Sequence, residues 1–256
     1  MRVLVACEFS GTVRDAFTAR GHYARSVDLL PTEAHAPVVF AGDLPLCECC
    51  GEEPWCPVHE MHYGDCVCMG PTEDEVEYSA DGLAGGRHLS GDLFSVPDID
   101  GYDLLIAHPP CTRLTNSGVR WLAERNLWQE MYEAADFFKR ILALPIPRKA
   151  IENPIPHRYA LERIGRKYDQ IIQPWQFGHG ETKATCLWLE GLPKLTPTNV
   201  VSGREARIHK LPPGPDRWKL RSKTYQGIAD AMAEQWGDVR DIMPAQTTMA
   251  FAECVA

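Results

Sequence analysis

YDLLIAHPPC, Tyr102 to Cys111, is an apolar run that stops abruptly in a proline-stiffened turn. Leu104, Leu105, Ile106 and Ala107 are uninterrupted by a polar residue, the pattern of a strand covered on both faces in a parallel sheet. His108-Pro109-Pro110-Cys111 follows at the strand's carboxyl end, where open α/β sheets keep their binding crevices. Two prolines fix their own φ and restrict the residues before them, so the Cys111 thiol is held by stiff backbone. It reads either as a catalytic nucleophile or as a buried cysteine behaving as a small hydrophobe.

Working outward, Arg2–Ala6 (RVLVA) is a second apolar β run, and Cys7-Glu8-Phe9-Ser10-Gly11 turns it into a helix with apolar spacing at Val13, Ala16 and Phe17. Tyr23 to Leu29 gives the next strand. Its Asp28 sits roughly 20 residues beyond the first turn, where an acid bonds ribose hydroxyls in Rossmann-like halves. A single glycine in that turn does not support a GxGxxG dinucleotide site. Gly91-Asp92 has the look of a further strand end. Arg113 to Gly118 is a polar loop able to move, and Val119 to Leu144 reads as one long amphipathic helix with Trp121, Leu122, Trp128, Met131, Ala135, Phe138 and Leu142 on its core face. Lys149 to Ile151 is a short strand stopped by Glu152-Asn153-Pro154. Tyr168 to Gln173 and Thr185 to Leu189 read as an antiparallel pair, and Tyr225 to Gly237 as a closing helix. The expected class is α/β, a Rossmann-like sheet over 1–46 and 88–237 with a loose tail over 238–256.

The segment 47–87 does not fit that sheet. Six of the chain's ten cysteines crowd into it, followed by an acidic turn and a glycine-rich stretch. Below ~40 residues a separate unit usually needs a metal or disulfides, and clustered Cys and His in a reducing compartment point to metal. Cys47, Cys49, Cys50, Cys56, His59, His62, Cys66 and Cys68 are candidate zinc ligands, enough for one or two ions.

Composition bounds the remaining possibilities. Of 256 residues, 45% are hydrophobic and 24% charged, as in ordinary soluble globular proteins. No apolar run approaches the roughly 20 residues of a membrane span, and MRVLVACEFSG lacks a signal-peptide pattern, so a cytoplasmic protein is expected. Net charge is −9, yet Lys194 to Lys223 holds eight Lys or Arg against only Glu205 and Asp216. That local basic surface suits double-stranded nucleic acid, through Arg204, Arg207, Lys210, Arg217, Lys219 and Arg221.

Taken together, the order and separation of these pieces resemble the DNA cytosine C5-methyltransferases, particularly the short forms of phages and prophages, over most of residues 1–237 outside the insertion. The resemblance implies a class I methyltransferase sheet, S-adenosylmethionine as cofactor and DNA as partner, in a bacterial host or phage-infected cell. Phe9-Ser10-Gly11 corresponds to the family's first cofactor motif, Asp28 to its ribose acid and Asp92 to the acid near the adenine. Pro109-Pro110-Cys111 is similar to its nucleophile motif, and Glu152-Asn153-Pro154 to its Glu-Asn-Val motif. Lys183 lies where the family has basic residues near the target base, and Tyr225 opens its closing cofactor motif. Residues 190–223 correspond to a short target-recognition segment.

Departures are Thr112 in place of Gln, Pro154 in place of Val, a glycine-poor first turn and only a loose match to the basic signature over 178–189. The implied chemistry adds the Cys111 thiolate to cytosine C6 while Glu152, kept protonated by burial, bonds N3. His108, Arg113 and Lys183 are candidates for support of the thiolate. Two rival readings keep the residues but change the role: modification of a pyrimidine in RNA or a free nucleotide, and an inactive zinc-bearing DNA-binding module.

Overall fold

The computed structural model describes residues 1–33, 88–215 and 217–237, together with the backbone of two short strands within 34–87. In chain order the elements are β1 (Arg2–Ala6), α1 (Thr12–Thr18), β2 (Tyr23–Asp28), β3 (Trp55–Cys56), β4 (Met61–His62), β5 (His88–Ser90), β6 (Leu104–Ala107), α2 (Arg120–Glu124), α3 (Trp128–Leu142), β7 (Arg148–Pro154), α4 (Arg158–Ile164), β8 (Gln170–Ile172), β9 (Thr185–Glu190), α5 (Arg207–Lys210), α6 (Arg217–Ser222) and α7 (Gln226–Gly237). The chain divides into two compact units, Met1–Ala36 with Gly85–Ala256, and Pro37–Ala84. In the smaller, β3 and β4 pair antiparallel, Trp55 opposite His62 and Cys56 opposite Met61.

The larger unit is built on a seven-stranded sheet of order β5-β2-β1-β6-β7-β9-β8. Five strands from β5 to β7 run parallel, β9 runs antiparallel to β7, and β8 antiparallel to β9. Successive side chains of a strand point to opposite faces, and both faces here are apolar. Val3, Val5, Leu104 and Ile106 point to the side covered by α1 and α7, where Phe17, Met232 and Trp236 complete the core. Leu4, Ala6, Leu105 and Ala107 point to the side covered by α3 and α4, with Phe138, Ile141 and Trp188. Leu104 to Ala107 is wholly buried, as its unbroken apolar run requires. Each such aliphatic side chain contributes roughly 1.5–3 kcal/mol on burial.

Three elements differ from the sequence reading. The stretch 119–144 is two helices, because Asn126 takes a left-handed φ of 51° between α2 and α3. The core face of α3 accordingly uses Met131, Ala135, Phe138 and Ile141, with Leu142 only half-buried. Glu152, Asn153 and Pro154 do not stop β7 but belong to it, paired with Leu187, Cys186 and Thr185 of β9. The loop after Cys111 is tied down: Leu114 is buried, Asn116 donates to the Ile155 carbonyl at 3.1 Å, and His157 Nε2 donates to the Arg113 carbonyl at 2.9 Å. His157 Nδ1 meanwhile accepts from the Ala160 amide, capping α4. The tail 238–256 lies outside the described residues.

Gly227 fixes how α7 returns to the sheet. A Cβ there would meet the Phe177 carbonyl oxygen at 1.9 Å, while the Gly227 amide donates to His179 Nε2 at 3.0 Å. Gly227→Ala is therefore expected to destabilise the protein by about 1–3 kcal/mol, the usual cost of overpacking. Gly214, with nothing within 4 Å of its added Cβ, should tolerate Ala within about 0.5 kcal/mol. Urea denaturation of the two variants checks this, and equal midpoints would contradict the packing of α7.

Candidate active site

The chain moves outward from β1 through β2 to β5, then returns to place β6 and β7 on the other side, so the order reverses between β1 and β6. Ligand crevices form at such a switch point, at the carboxyl ends of the strands. The register lines those ends up. Ala6 pairs with Val27 on one side and Ala107 on the other, and Ala107 pairs with Ile151. The next residue of each strand, Asp28, Cys7, His108 and Glu152, therefore forms one row across the sheet edge. Backbone bonds from Cys7 N to Val27 O (2.7 Å) and His108 N to Ala6 O (2.9 Å) carry the ladder into that row.

Neighbouring strands lie about 4.8 Å apart, so side chains in one row can bond directly. His108 Nδ1 stands 2.7 Å from Glu152 Oε2, and the two side chains are about nine-tenths buried. Burial alone would raise the Glu152 pKa, but the hydrogen bond and charge of His108, with Lys183 nearby, hold it below the usual carboxylate value. Burial likewise opposes a charged His108, yet Glu152 and Glu8 raise its pKa above the ordinary histidine value. Both directions favour the proton on His108 over Glu152. Burial, expected to keep Glu152 protonated, is outweighed there by His108 and Lys183, and the His108 Nδ1 hydrogen bond goes to Glu152. Removing one partner of a buried pair costs about 3–5 kcal/mol.

Cys111, Glu152, His108, Pro109, Phe9, Ser10, Lys183 and Arg221 line one cavity of about 110 Å³. Burial chiefly, and Glu152 next, push the Cys111 thiol pKa up, while Lys183 and Arg221 pull it down. Asn153 points elsewhere: its Nδ2 donates to the Pro109 carbonyl at 3.0 Å, fastening β7 to the turn that carries Cys111. It is a positioning residue for the thiol.

A second cavity of about 230 Å³ is lined by Asp28, Asp92, Val27, Leu93, Ala134, Phe137 and, shared with the first, Cys7 and Pro110. Together the two approach the lower end of the ~300–1,000 Å³ typical of small-molecule sites. Asp28 Oδ1 accepts from the Leu30 amide at 2.9 Å, and Asp92 Oδ1 from Phe94 N at 3.3 Å, which fixes both carboxylates at the rim. Burial and the two aspartates push the Cys7 thiol up to about 12. Cys7 also holds a φ of 57°, a left-handed conformation glycine adopts more readily. Gly11 is the N-cap of α1 at φ 73°, and Glu8 accepts from the Val13 amide at 2.7 Å, closing that helix end.

Other sequence candidates lie apart from this row. Tyr225 lines neither cavity; its hydroxyl donates to Glu181 at 2.7 Å and its ring lies tilted against His179, centroids 5.0 Å apart. Arg113 pairs with Glu130 at 2.7 Å, away from the thiol. Of the basic segment, Arg207 pairs with Glu181, Lys219 pairs with Glu33, and Arg204 stacks over Trp175 at 3.9 Å. Lys210 is exposed, and Arg217 Nη2 reaches the His209 carbonyl at 3.5 Å. Arg221 lines the Cys111 cavity and lowers the thiol's pKa. Cys7, Glu8, Phe137 and His157 were not anticipated; the acid directly after the first strand and the His ahead of α4 were the available signals.

The candidate metal ligands Cys47, Cys49, Cys50, Cys56, His59, His62, Cys66 and Cys68 lie outside the described residues, apart from the backbone of Cys56 and His62 in β3 and β4. Among the described residues no group of His, Cys, Asp or Glu could hold a metal ion, and no helix is long and apolar enough to cross a membrane.

No protein-family model matches the chain, and no curated protein does. Among solved structures, it is similar to that of an E. coli prophage-encoded protein described as a candidate DNA modification methyltransferase. The identity is 11% and the TM-score 0.39 over 79% of this chain, which spans 52% of that protein's length.

The site's electrostatics make a direct prediction. Glu152 raises the Cys111 pKa and Lys183 lowers it, so Glu152→Gln should shift the midpoint of Cys111 alkylation to lower pH and Lys183→Met to higher pH. Peptide-resolved mass spectrometry after timed iodoacetamide labelling measures this. A midpoint that does not move in Glu152→Gln contradicts the arrangement.

Proposed function

We propose that this protein is an S-adenosylmethionine-dependent DNA methyltransferase acting at C5 of cytosine, through a covalent bond from Cys111 to C6 of a flipped-out base. The observation that carries this is the meeting of a rigidly held thiol and a buried carboxylate in one cavity that adjoins a second, two-carboxylate cavity at the switch point. Covalent addition turns a poor nucleophile into an enamine, dividing one hard step into easier ones. Glu152 is suited to bond N3 and the exocyclic amine, and Lys183 and Arg221 to favour the thiolate.

The second cavity fits the cofactor's chemistry. Asp28 and Asp92 offer acceptors to hydroxyls and amines, while Val27, Leu93 and Phe137 offer an apolar wall to a planar base. S-adenosylmethionine, when bound, supplies an electrophilic methyl group. Cytosine in a duplex is out of reach of Cys111, so the base must be extruded, and Arg204, Lys210 and Arg217 are the proposed phosphate contacts.

Pyrimidine modification on a free nucleotide is the second reading, favoured by one observation: Arg221 lines the cavity itself, where it suits a monophosphate. Product mass from a cytosine-containing duplex and from dCMP separates the two. Duplex methylation by wild type should be lost at least about 1,000-fold in Cys111→Ser, because a hydroxyl is far less nucleophilic than a thiolate, while cofactor affinity measured by calorimetry stays within about twofold. Retained methylation by Cys111→Ser contradicts the covalent route.

For the insertion we propose structural zinc, supported by the Cys56-x2-His59 spacing within its Cys/His set. Metal analysis of purified protein is expected to find one or two equivalents, reduced in a Cys56→Ser, His59→Ala double variant. Metal-free folded protein contradicts it.

A further inference from the structure

His108 is a buried ionisable group to which the addition of sulfur to C6 gives no role. Its Nδ1 is held 2.7 Å from Glu152, its Nε2 has no partner among the described residues, and it lines the Cys111 cavity. Its position follows from the register, since His108 and Glu152 each follow the last β6–β7 pair, Ala107 and Ile151. The groups that bear on it come from every neighbouring element: Glu152 from β7, Glu8 from the turn after β1, Lys183 from the segment before β9, and Cys111 and Arg221 across the cavity. The carboxylates favour the imidazolium, and burial and Lys183 oppose it.

We propose that His108 is the proton reserve of the reaction: a positioning residue whose Nδ1 proton passes through the Glu152 carboxyl to cytosine N3. The inference rests on the C5 reading above and supplies the proton that reading requires. As a carboxylate, Glu152 can accept from the exocyclic amine but has nothing to give N3.

Cys111 enters as thiolate, its own proton released to water. As the sulfur–C6 bond forms, the C5=C6 π pair moves toward C4 and the N3=C4 pair settles on N3. Nδ1 delivers its proton to Oε2, and the carboxyl so formed passes that proton on to N3. His108 is left neutral and Glu152 anionic. With S-adenosylmethionine as donor, the C4=C5 pair would then bond the methyl carbon, the S–CH3 pair would stay on the cofactor sulfur as a neutral thioether, and N3=C4 would be restored with N3 still protonated. The C5 hydrogen then leaves to water as a proton, its electron pair re-forms C5=C6 and the C6–sulfur bond breaks to return the thiolate. N3 returns its proton to Glu152 and thence to His108. Charge and atoms balance with the cofactor's methyl group as co-reactant and one proton released to water per turnover.

The test is the pH profile of methylation by wild type and His108→Asn, with His108→Gln as a second variant should the first fold poorly. The amide can still bond Glu152 but carries no transferable proton. General acid catalysis contributes about 10²–10⁴-fold, so kcat at about pH 8 should fall by about 100-fold. The deficit should shrink to within about tenfold near pH 5.5, where Glu152 draws a proton from solvent. KM for DNA and for S-adenosylmethionine should stay within about twofold, since neither step of binding needs the proton.

A uniform loss, or no loss, with the wild-type profile retained overturns the proposal and makes His108 merely structural. Absence of duplex methylation by wild type overturns the C5 reading instead. The dyad is then decided without substrate, by nitrogen NMR titration of His108 in wild type and Glu152→Gln. An imidazole midpoint lower by about one unit or more in the variant supports it, and equal midpoints overturn it.

Discussion

The register between β6 and its neighbours is the constraint on which the rest of the site depends. Side chains of a strand alternate between faces, so a slip of one residue would invert both the core and the row of polar residues at the strand ends. With Ala107 opposite Ala6 and Ile151, the apolar residues of β6 divide between the two helical layers, and the first polar residue beyond them meets Glu152. Burial of Leu104 to Ala107 therefore fixes the row at the strand ends as well as the core. The pairing of β7 with β9 as far as Pro154 extends that support, since without it Glu152 would lie on unpaired chain.

The energetics of the row are those of a site held by its surroundings. A buried carboxylate and imidazole are costly to desolvate, and their charge-assisted bond offsets the cost only with good geometry. The strands supply that geometry. Pro109 and Pro110 stiffen the path from His108 to Cys111, and the Asn153 amide fastens it to β7. The same burial raises the Cys111 pKa and pushes the neighbouring Cys7 up to about 12. Lys183 and Arg221, which reach the cavity from the segment before β9 and from α6, act the other way and lower the Cys111 pKa.

The strand was legible in residues 102–111 because a strand buried on both faces leaves a continuous apolar run, here ending at the cavity that holds Cys111. What the sequence hid has physical reasons. Asn126 breaks the long helix without a proline or glycine to mark it. Pro154 suggests a stop, yet a proline is tolerated at the end of a strand, where no further ladder donor is required. The His108–Glu152 pair joins residues 44 apart in sequence, so no local pattern shows it. A count of Lys and Arg over 194–223 records charge but not partners, and Glu33 and Glu181 take up Lys219, Lys223 and Arg207. Arg221 was legible as basic, and only the fold brings it to the thiol.

The central claim is that Cys111 bonds covalently to C6 of cytosine, and trapping the adduct tests it most directly. Fluorine at C5 cannot leave as a cation, so after methyl transfer the sulfur–C6 bond cannot be released. A duplex carrying 5-fluorocytosine, incubated with the full chain and S-adenosylmethionine, should give a protein–DNA species that survives denaturation. Peptide mass spectrometry should locate the bond on Cys111, with one methyl group added to the base. No adduct, from protein shown to bind both duplex and cofactor, or an adduct on another cysteine, would contradict the account.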